Sequence, residues 1–250
     1  MNNKKFETNR YIKNMIIPEI GKIGQEKLHS TKVLVAGLGG VGSNIITQLA
    51  SLGIGTLGLI DNDNVEISNL NRQFIHKYSS IGLSKVDSAT SWIQDYNPDI
   101  QVKGYKIKLD EFNYKDIISE YDLIVDCFDN SKSMFLLNKI SLETKKPLVT
   151  GGCYSYGGFV FTIIPGDGAC LGCIRPDNDI DTYLTEDEKE GIISPTVAVI
   201  SSIMAKETFK LIMGLGTSLN GHGLFYDGLS MQFKKIKCER KTTCKYCSGL

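Results

Sequence analysis

The sequence predicts a doubly wound, mostly parallel α/β sheet, extended towards its C-terminus by antiparallel strands. Three observations carry that expectation. Residues 33–36 are a short apolar run, followed by a turn of Gly37, Gly39, Gly40 and Gly42, and then by Ile45, Ile46, Leu49 and Leu52 at helical spacing. Further apolar runs at 56–61, 100–107, 122–129 and 147–150 alternate with helical patterns at 85–96, 114–120 and 131–144. Beyond residue 150 the rhythm changes to a strand at 157–164, a long apolar helix at 194–213 and closing strands at 224–227 and 231–238.

The chain opens on an arm, residues 6–28, in which Ile12, Met15 and Ile16 share one helical face and Pro18 ends or kinks the helix. The strand, glycine turn and helix that follow make a phosphate cradle, because bare backbone N–H groups and the positive helix end point to one place. Residues 62–84 form a long polar connection, and connections of that length are usually functional or mobile. The stretch 177–190 is acidic and reads as a solvated loop. Ser194 is placed to cap the long helix, with Pro195 at its first position.

Composition narrows the class. The 250 residues carry 28 basic and 28 acidic side chains, so no nucleic-acid-binding surface is expected. No apolar run approaches a membrane span, and the N-terminus lacks a signal-peptide core, which makes the cytoplasm the expected compartment. Four of the seven cysteines form two CxxC pairs, Cys170/Cys173 and Cys244/Cys247. Four thiolates close the tetrahedral shell of zinc, so these pairs read as a structural Zn²⁺ site. Cys127, Cys153 and Cys238 read as packing residues.

The glycine turn, Asp61 with Asp63, the run holding Asn69, Arg72 and Gln73, Lys85, the run Asp126, Asp129 and Asn130, and the two CxxC pairs occur in one order. That set resembles the ThiF/MoeB/HesA family, prokaryotic relatives of ubiquitin-activating enzymes, from about residue 10 to 247. The resemblance implies a Rossmann-like fold and one adenylation domain over 1–250. Its parts would be an N-terminal helical arm at 1–30, a nucleotide-binding half at 31–150, and a half at 151–250 for carrier binding, the crossover loop and zinc. It also implies ATP- and Mg²⁺-dependent adenylation of a C-terminal glycine carboxylate, releasing pyrophosphate. The substrate would be a small ubiquitin-like sulfur carrier ending in Gly-Gly, in thiamine, molybdopterin or related sulfur transfer.

By family match, Gly37, Gly39, Gly40 and Gly42 supply backbone donors, Asp61 takes the ribose hydroxyls, and Asn69, Arg72, Gln73 and Lys85 hold ATP. Asp63 is placed to shape the loop. A nicotinamide enzyme also wants an acid at Asp61, but it has no need of Asn69, Arg72 and Lys85, whereas a triphosphate does. Asp129 matches the Mg²⁺ ligand, with capping of the next helix as the alternative role, and Asp126 reads as structural.

Two departures stand out. The family's N-terminal arginine finger, which reaches into the partner subunit's site in a homodimer, is replaced by Lys13, with Arg10 nearby to share the role. No cysteine lies between Cys173 and Cys238, which argues against a thioester or persulfide on the crossover loop. The adenylate would then pass to a separate sulfur donor such as a cysteine desulfurase. Three other readings compete: adenylation of a peptide, which the short N-terminal arm disfavours; a nucleotide-binding relative without turnover; and an NAD-dependent oxidoreductase.

Overall fold

In the computed structural model, which describes residues 7–175 and 191–249, eight strands form one sheet. They are β1 Lys32–Ala36, β2 Thr56–Ile60, β3 Gln101–Tyr105, β4 Leu123–Asp126, β5 Leu148–Tyr154, β6 Gly157–Ile163, β7 His222–Asp227 and β8 Gln232–Lys237. Their order is β3-β2-β1-β4-β5-β6-β7-β8. The first five strands run parallel, and β6, β7 and β8 add antiparallel.

The helices are α1 Ile12–Met15, α2 Gly21–Ser30, α3 Gly40–Leu52, α4 Lys85–Tyr96, α5 Tyr114–Ile118, α6 Ser131–Thr144, α7 Leu171–Ile174 and α8 Ser194–Met213. Two cores flank the sheet, and the alternation of side chains along a strand sorts residues between them. From β1, Val33 and Val35 join Ile45 and Leu49 of α3, Ile93 of α4 and Met204 of α8. Leu34 and Ala36 face the other way, towards Ile118 of α5 and Leu137 and Ile140 of α6. Both faces of β1 are therefore dry, which is why its sequence is continuously apolar.

Chain order decides where a site can form. From β1 the chain winds outward through β2 to β3, then crosses back to β4 on the other flank of β1. The strand order thus reverses between β1 and β4, and the C-terminal ends of strands at such a switch point are where open α/β sheets carry their ligands.

Several boundaries shift from the sequence expectation. Helix α3 begins at Gly40, inside the glycine turn rather than after it, and β4 stops at Asp126, so that the backbone of Cys127 and Phe128 lies against Gly37. Helix α8 starts at Ser194 itself; the capping position is Ile193, which has no side-chain hydrogen bond to offer. Ser194 is therefore not the cap. The acidic stretch 177–190 lies outside the described residues. Among the described residues no helix is long and apolar enough to cross a membrane.

Candidate functional site

The glycine turn folds tightly because nothing larger fits. Gly37 has φ +93°, and a Cβ there would lie 2.7 Å from the Cys127 carbonyl oxygen at the end of β4. A Cβ on Gly42 would stand 1.9 Å from the Gly37 carbonyl oxygen. Helix α3 starts at Gly40 with no side chain capping it, so its first N–H groups are left for a ligand. Gly42→Ala should displace the turn, lowering ATP affinity at least ten-fold and stability by about 2 kcal/mol. Calorimetric titration and thermal unfolding measure the two effects, and wild-type ATP affinity in the variant would mean that the turn is not the phosphate site.

Asp61, one residue past β2, is buried and serves both neighbours. Its Oδ2 accepts from the Leu38 N–H at 2.7 Å and its Oδ1 from the Asp63 N–H at 2.8 Å. Burial raises its carboxyl above the ordinary carboxylate range, against those two bonds and the charge of Lys85. Asp61 is thus a strut between the glycine turn and the connection, and its oxygens retain lone pairs for a ribose.

The connection 62–84 is closed on itself. Val65 donates to Leu83, Gly82 to Val65, and the Lys85 N–H to the Asp63 carbonyl oxygen. This brings the Lys85 ammonium 2.8 Å from Asp63 Oδ2 across 22 residues of sequence. Lys85 is the first residue of α4 and its side chain is only 9% exposed. Asp63 therefore holds Lys85 rather than facing solvent alone.

Asn69 forms a capping box with Glu66: its Oδ1 accepts from the Glu66 N–H at 3.0 Å, and the Glu66 side chain accepts from the Asn69 N–H. It shapes the short 3₁₀ turn Ile67–Asn69 that presents Arg72. The Arg72 stem lies over Gly40, where an added Cβ would meet its Cγ and Cδ at 3.5 Å. Its Nη1 donates to the Ser68 carbonyl oxygen and to Asn71 Oδ1. Asn44 of α3 ties the two segments together, donating to both the Gly40 and Arg72 carbonyl oxygens. The Gln73 amide reaches Gly39, where its Nε2 would be 3.7 Å from an added Cβ, and its Oε1 is buried with no partner among the described residues. A buried acceptor without a partner is a position that a donor group of a bound ligand would complete.

Two roles were open for Asp129, and the helix start separates them. Asn130, not Asp129, caps α6, accepting from the Ser133 N–H at 2.9 Å. Asp129 stays exposed at the C-terminal end of β4, accepting only a long 3.5 Å bond from Asn130 among the described residues. Asp126 is fully buried between the Thr150 hydroxyl and the Phe128 N–H, and burial pushes its carboxyl up to about 7. A single exposed carboxylate beside a phosphate cradle fits Mg²⁺, which takes one or two carboxylates plus phosphate oxygens.

Arg10 and Lys13 are elsewhere. Arg10 donates to the Tyr96 carbonyl oxygen at 3.0 Å, at the C-terminal end of α4, while Lys13 is exposed on α1. The arm is anchored by Tyr11, buried against Gly53 after α3. At 1.5 Å per residue that end of α3 is about 18 Å from Gly40. Neither cation reaches the glycine turn of its own chain, so any role there requires a second copy of it.

His76 was not singled out by the sequence, where it is one polar residue in a polar stretch. It is 5% exposed. Its Nε2 bonds the Leu38 carbonyl oxygen at 3.2 Å and its Nδ1 the Ser88 hydroxyl at 2.9 Å. Burial lowers its pKa below the ordinary histidine value, so the ring is neutral near pH 7.

At the other end of the molecule the four cysteines converge. Their sulfurs all lie within 4.8 Å of one another, with Cys170–Cys173 at 3.9 Å, Cys170–Cys244 at 3.6 Å and Cys173–Cys247 at 3.4 Å. Tetrahedral Zn–S bonds of about 2.3 Å imply S–S separations of about 3.8 Å, so this donor set fits the ion. Cys127 and Cys153 lie apart from this cluster; burial raises the first well above the ordinary thiol range and pushes the second up to about 12.

The strand order and the glycine turn define a Rossmann-like α/β protein. A model of the ThiF family matches residues 11–246, and the chain belongs to that family. It is 34% identical to a sulfur carrier protein adenylyltransferase of Thermus thermophilus, over 97% of this chain and 92% of that protein. It is 33% identical to the SAMP-activating enzyme E1 of Haloferax volcanii, over 96% of this chain and 89% of that one. Identity to an adenylyltransferase and sulfurtransferase MOCS3 of Dictyostelium discoideum is 37%, but the match spans only 58% of that longer protein. Among solved structures, Escherichia coli MccB with ATP superposes at a TM-score of 0.84 with 23% identity, over 98% of this chain and 75% of that chain, a likeness of fold.

Proposed function

We propose that this chain adenylates the C-terminal glycine carboxylate of a small ubiquitin-like sulfur carrier, acting as a single adenylation domain in a homodimer. The observation that carries the reading is the meeting of the glycine turn, Arg72 over Gly40, the Lys85–Asp63 pair and exposed Asp129 at the ends of β1, β2 and β4. A relative named as an adenylyltransferase of such a carrier, matched over 97% of this chain, supports the choice of substrate over a peptide.

The chemistry needs no base, since the carboxylate is already the nucleophile. One carboxylate oxygen forms a bond to the α-phosphorus, the bond from that phosphorus to the bridging oxygen breaks, and pyrophosphate leaves with the electron pair. The difficulty is bringing anions together, so positioning and electrostatics supply most of the rate. The α3 N-terminus and glycine N–H groups would hold phosphate, Asp61 the ribose, and Arg72 and Lys85 the developing negative charge. Gln73 would line the glycine turn, and Asn69 would act by shaping the turn that presents Arg72. Asp129 would hold Mg²⁺, which screens the phosphate charge. Lys13 or Arg10 would enter from the second subunit. Zn²⁺ in the four cysteines would be structural.

With no cysteine between Cys173 and Cys238 to carry a thioester or persulfide, the adenylate would pass to a separate sulfur donor such as a cysteine desulfurase, in the cytoplasm. The test is ATP–pyrophosphate exchange with small Gly-Gly-ending carriers, each intact and with its last glycine removed. Exchange is expected with one intact carrier and not with its truncated form. ATP binding without exchange for any carrier would shift the reading to a peptide substrate or to a nucleotide-binding relative without turnover.

A further inference from the structure

Leu38 sits between two glycines in a turn with almost no side chains of its own, and both of its backbone polar groups are held by buried side chains. Asp61 takes its N–H at 2.7 Å and His76 bonds its carbonyl oxygen at 3.2 Å. A carbonyl oxygen only accepts, so His76 Nε2 carries the proton and donates; Nδ1 then accepts from the Ser88 hydroxyl at 2.9 Å. The peptide that His76 grips is the one joining Leu38 to Gly39. In a trans peptide the C=O and N–H point in opposite directions, so a carbonyl turned inward to His76 turns the Gly39 N–H outward. Glycine peptides flip readily, and no side chain of the turn prevents it.

We propose that His76 is a positioning residue for the nucleotide's phosphates: it locks the Leu38–Gly39 peptide so that the Gly39 N–H faces the phosphate cradle, with Ser88 fixing the ring. The inference rests on the nucleotide reading of the site. The same clamp registers two other parts of the site, since His76 belongs to the connection that carries Arg72 and Ser88 to the helix that begins with Lys85. His76 touches no ligand itself; it acts through one backbone donor.

Calorimetric titration of ATP and of adenosine, on wild type, His76→Ala, His76→Gln and Ser88→Ala, tests this. Adenosine has no phosphates, so an effect on phosphate donors separates from general damage. His76→Ala should weaken ATP about ten-fold and leave adenosine within about two-fold of wild type. His76→Gln, whose amide nitrogen occupies the place of Nε2, should recover ATP binding to within about three-fold. Ser88→Ala should cost ATP about three-fold and adenosine nothing. If His76→Ala does not fold, the glutamine and serine variants decide.

Equal weakening of ATP and adenosine would reduce His76 to a packing residue. Undiminished ATP binding in His76→Ala or Ser88→Ala, or a glutamine variant that binds ATP about ten-fold more weakly than wild type, would overturn the assignment. Absence of ATP binding in wild type would remove the nucleotide reading, and this inference with it.

Discussion

Arg72→Ala is expected to lower ATP–pyrophosphate exchange on the order of 10²–10³-fold while leaving the fold intact. The reason is geometric. Packing of the Arg72 stem over Gly40 fixes the guanidinium beside the first turn of α3, and its two bonds, to the Ser68 carbonyl oxygen and Asn71 Oδ1, both use Nη1. The Nε and Nη2 donors have no partner among the described residues, so they can meet phosphate oxygens as a planar fork. Arg72→Lys keeps the charge and loses the fork, and it should fall between wild type and alanine. Because the residue is only partly buried, its removal should change stability by about 0.5 kcal/mol or less. Exchange assays with thermal melts separate the two effects; an alanine variant within about three-fold of wild type would take Arg72 out of the reaction.

Removing metal from the cysteine cluster should destabilise the protein by about 3–5 kcal/mol, or about 10 °C in melting temperature for a domain of this size. Cys170 and Cys173 follow β6, while Cys244 and Cys247 follow β8, 74 residues later. Between those ends run α8, β7 and the exposed β8, so the cluster fastens the end of the chain to the sheet. Cys247→Ser should behave like chelation. Loss should begin there: hydrogen exchange should rise first in β8 and the last turn, while β1 to β5 stay protected and ATP binding persists. Elemental analysis should find about one zinc per chain. A purified chain without zinc, or one whose melting a strong chelator does not move, would contradict a structural metal.

Much of this site was legible because its residues are constrained by backbone geometry or by ligand count. A glycine turn between an apolar strand and an amphipathic helix has few structural explanations, and Gly37 and Gly42 prove to be positions where a Cβ would strike backbone. Two CxxC pairs restrict their sulfurs to one donor set, and the four sulfurs do converge. Other roles depend on what a side chain touches across the fold. Asp63 reads as a loop-shaping acid, and only closure of the connection pairs it with Lys85. Asp129 reads as a metal ligand or as the cap of the next helix; only the start of α6 at Ser131, which puts Asn130 at the cap, separates the two. Ser194 looked like a cap because serine before Pro195 is a good helix start, but the helix already includes it.

The sequence by itself determined the parallel half of the sheet, the strands that extend it, the glycine turn and the grouping of the four paired cysteines. Each follows from short-range rules: the periodicity of side chains, the conformational freedom of glycine, and the spacing of thiols. Only the tertiary structure decided that Arg10 and Lys13 lie at the far end of α3 from their own glycine turn, that Asp61 is a strut, and that His76 holds the Leu38 carbonyl. Those facts depend on which segments the strand order β3-β2-β1-β4-β5 brings together. A hydrogen bond between residues 38 positions apart leaves no periodic trace in either segment.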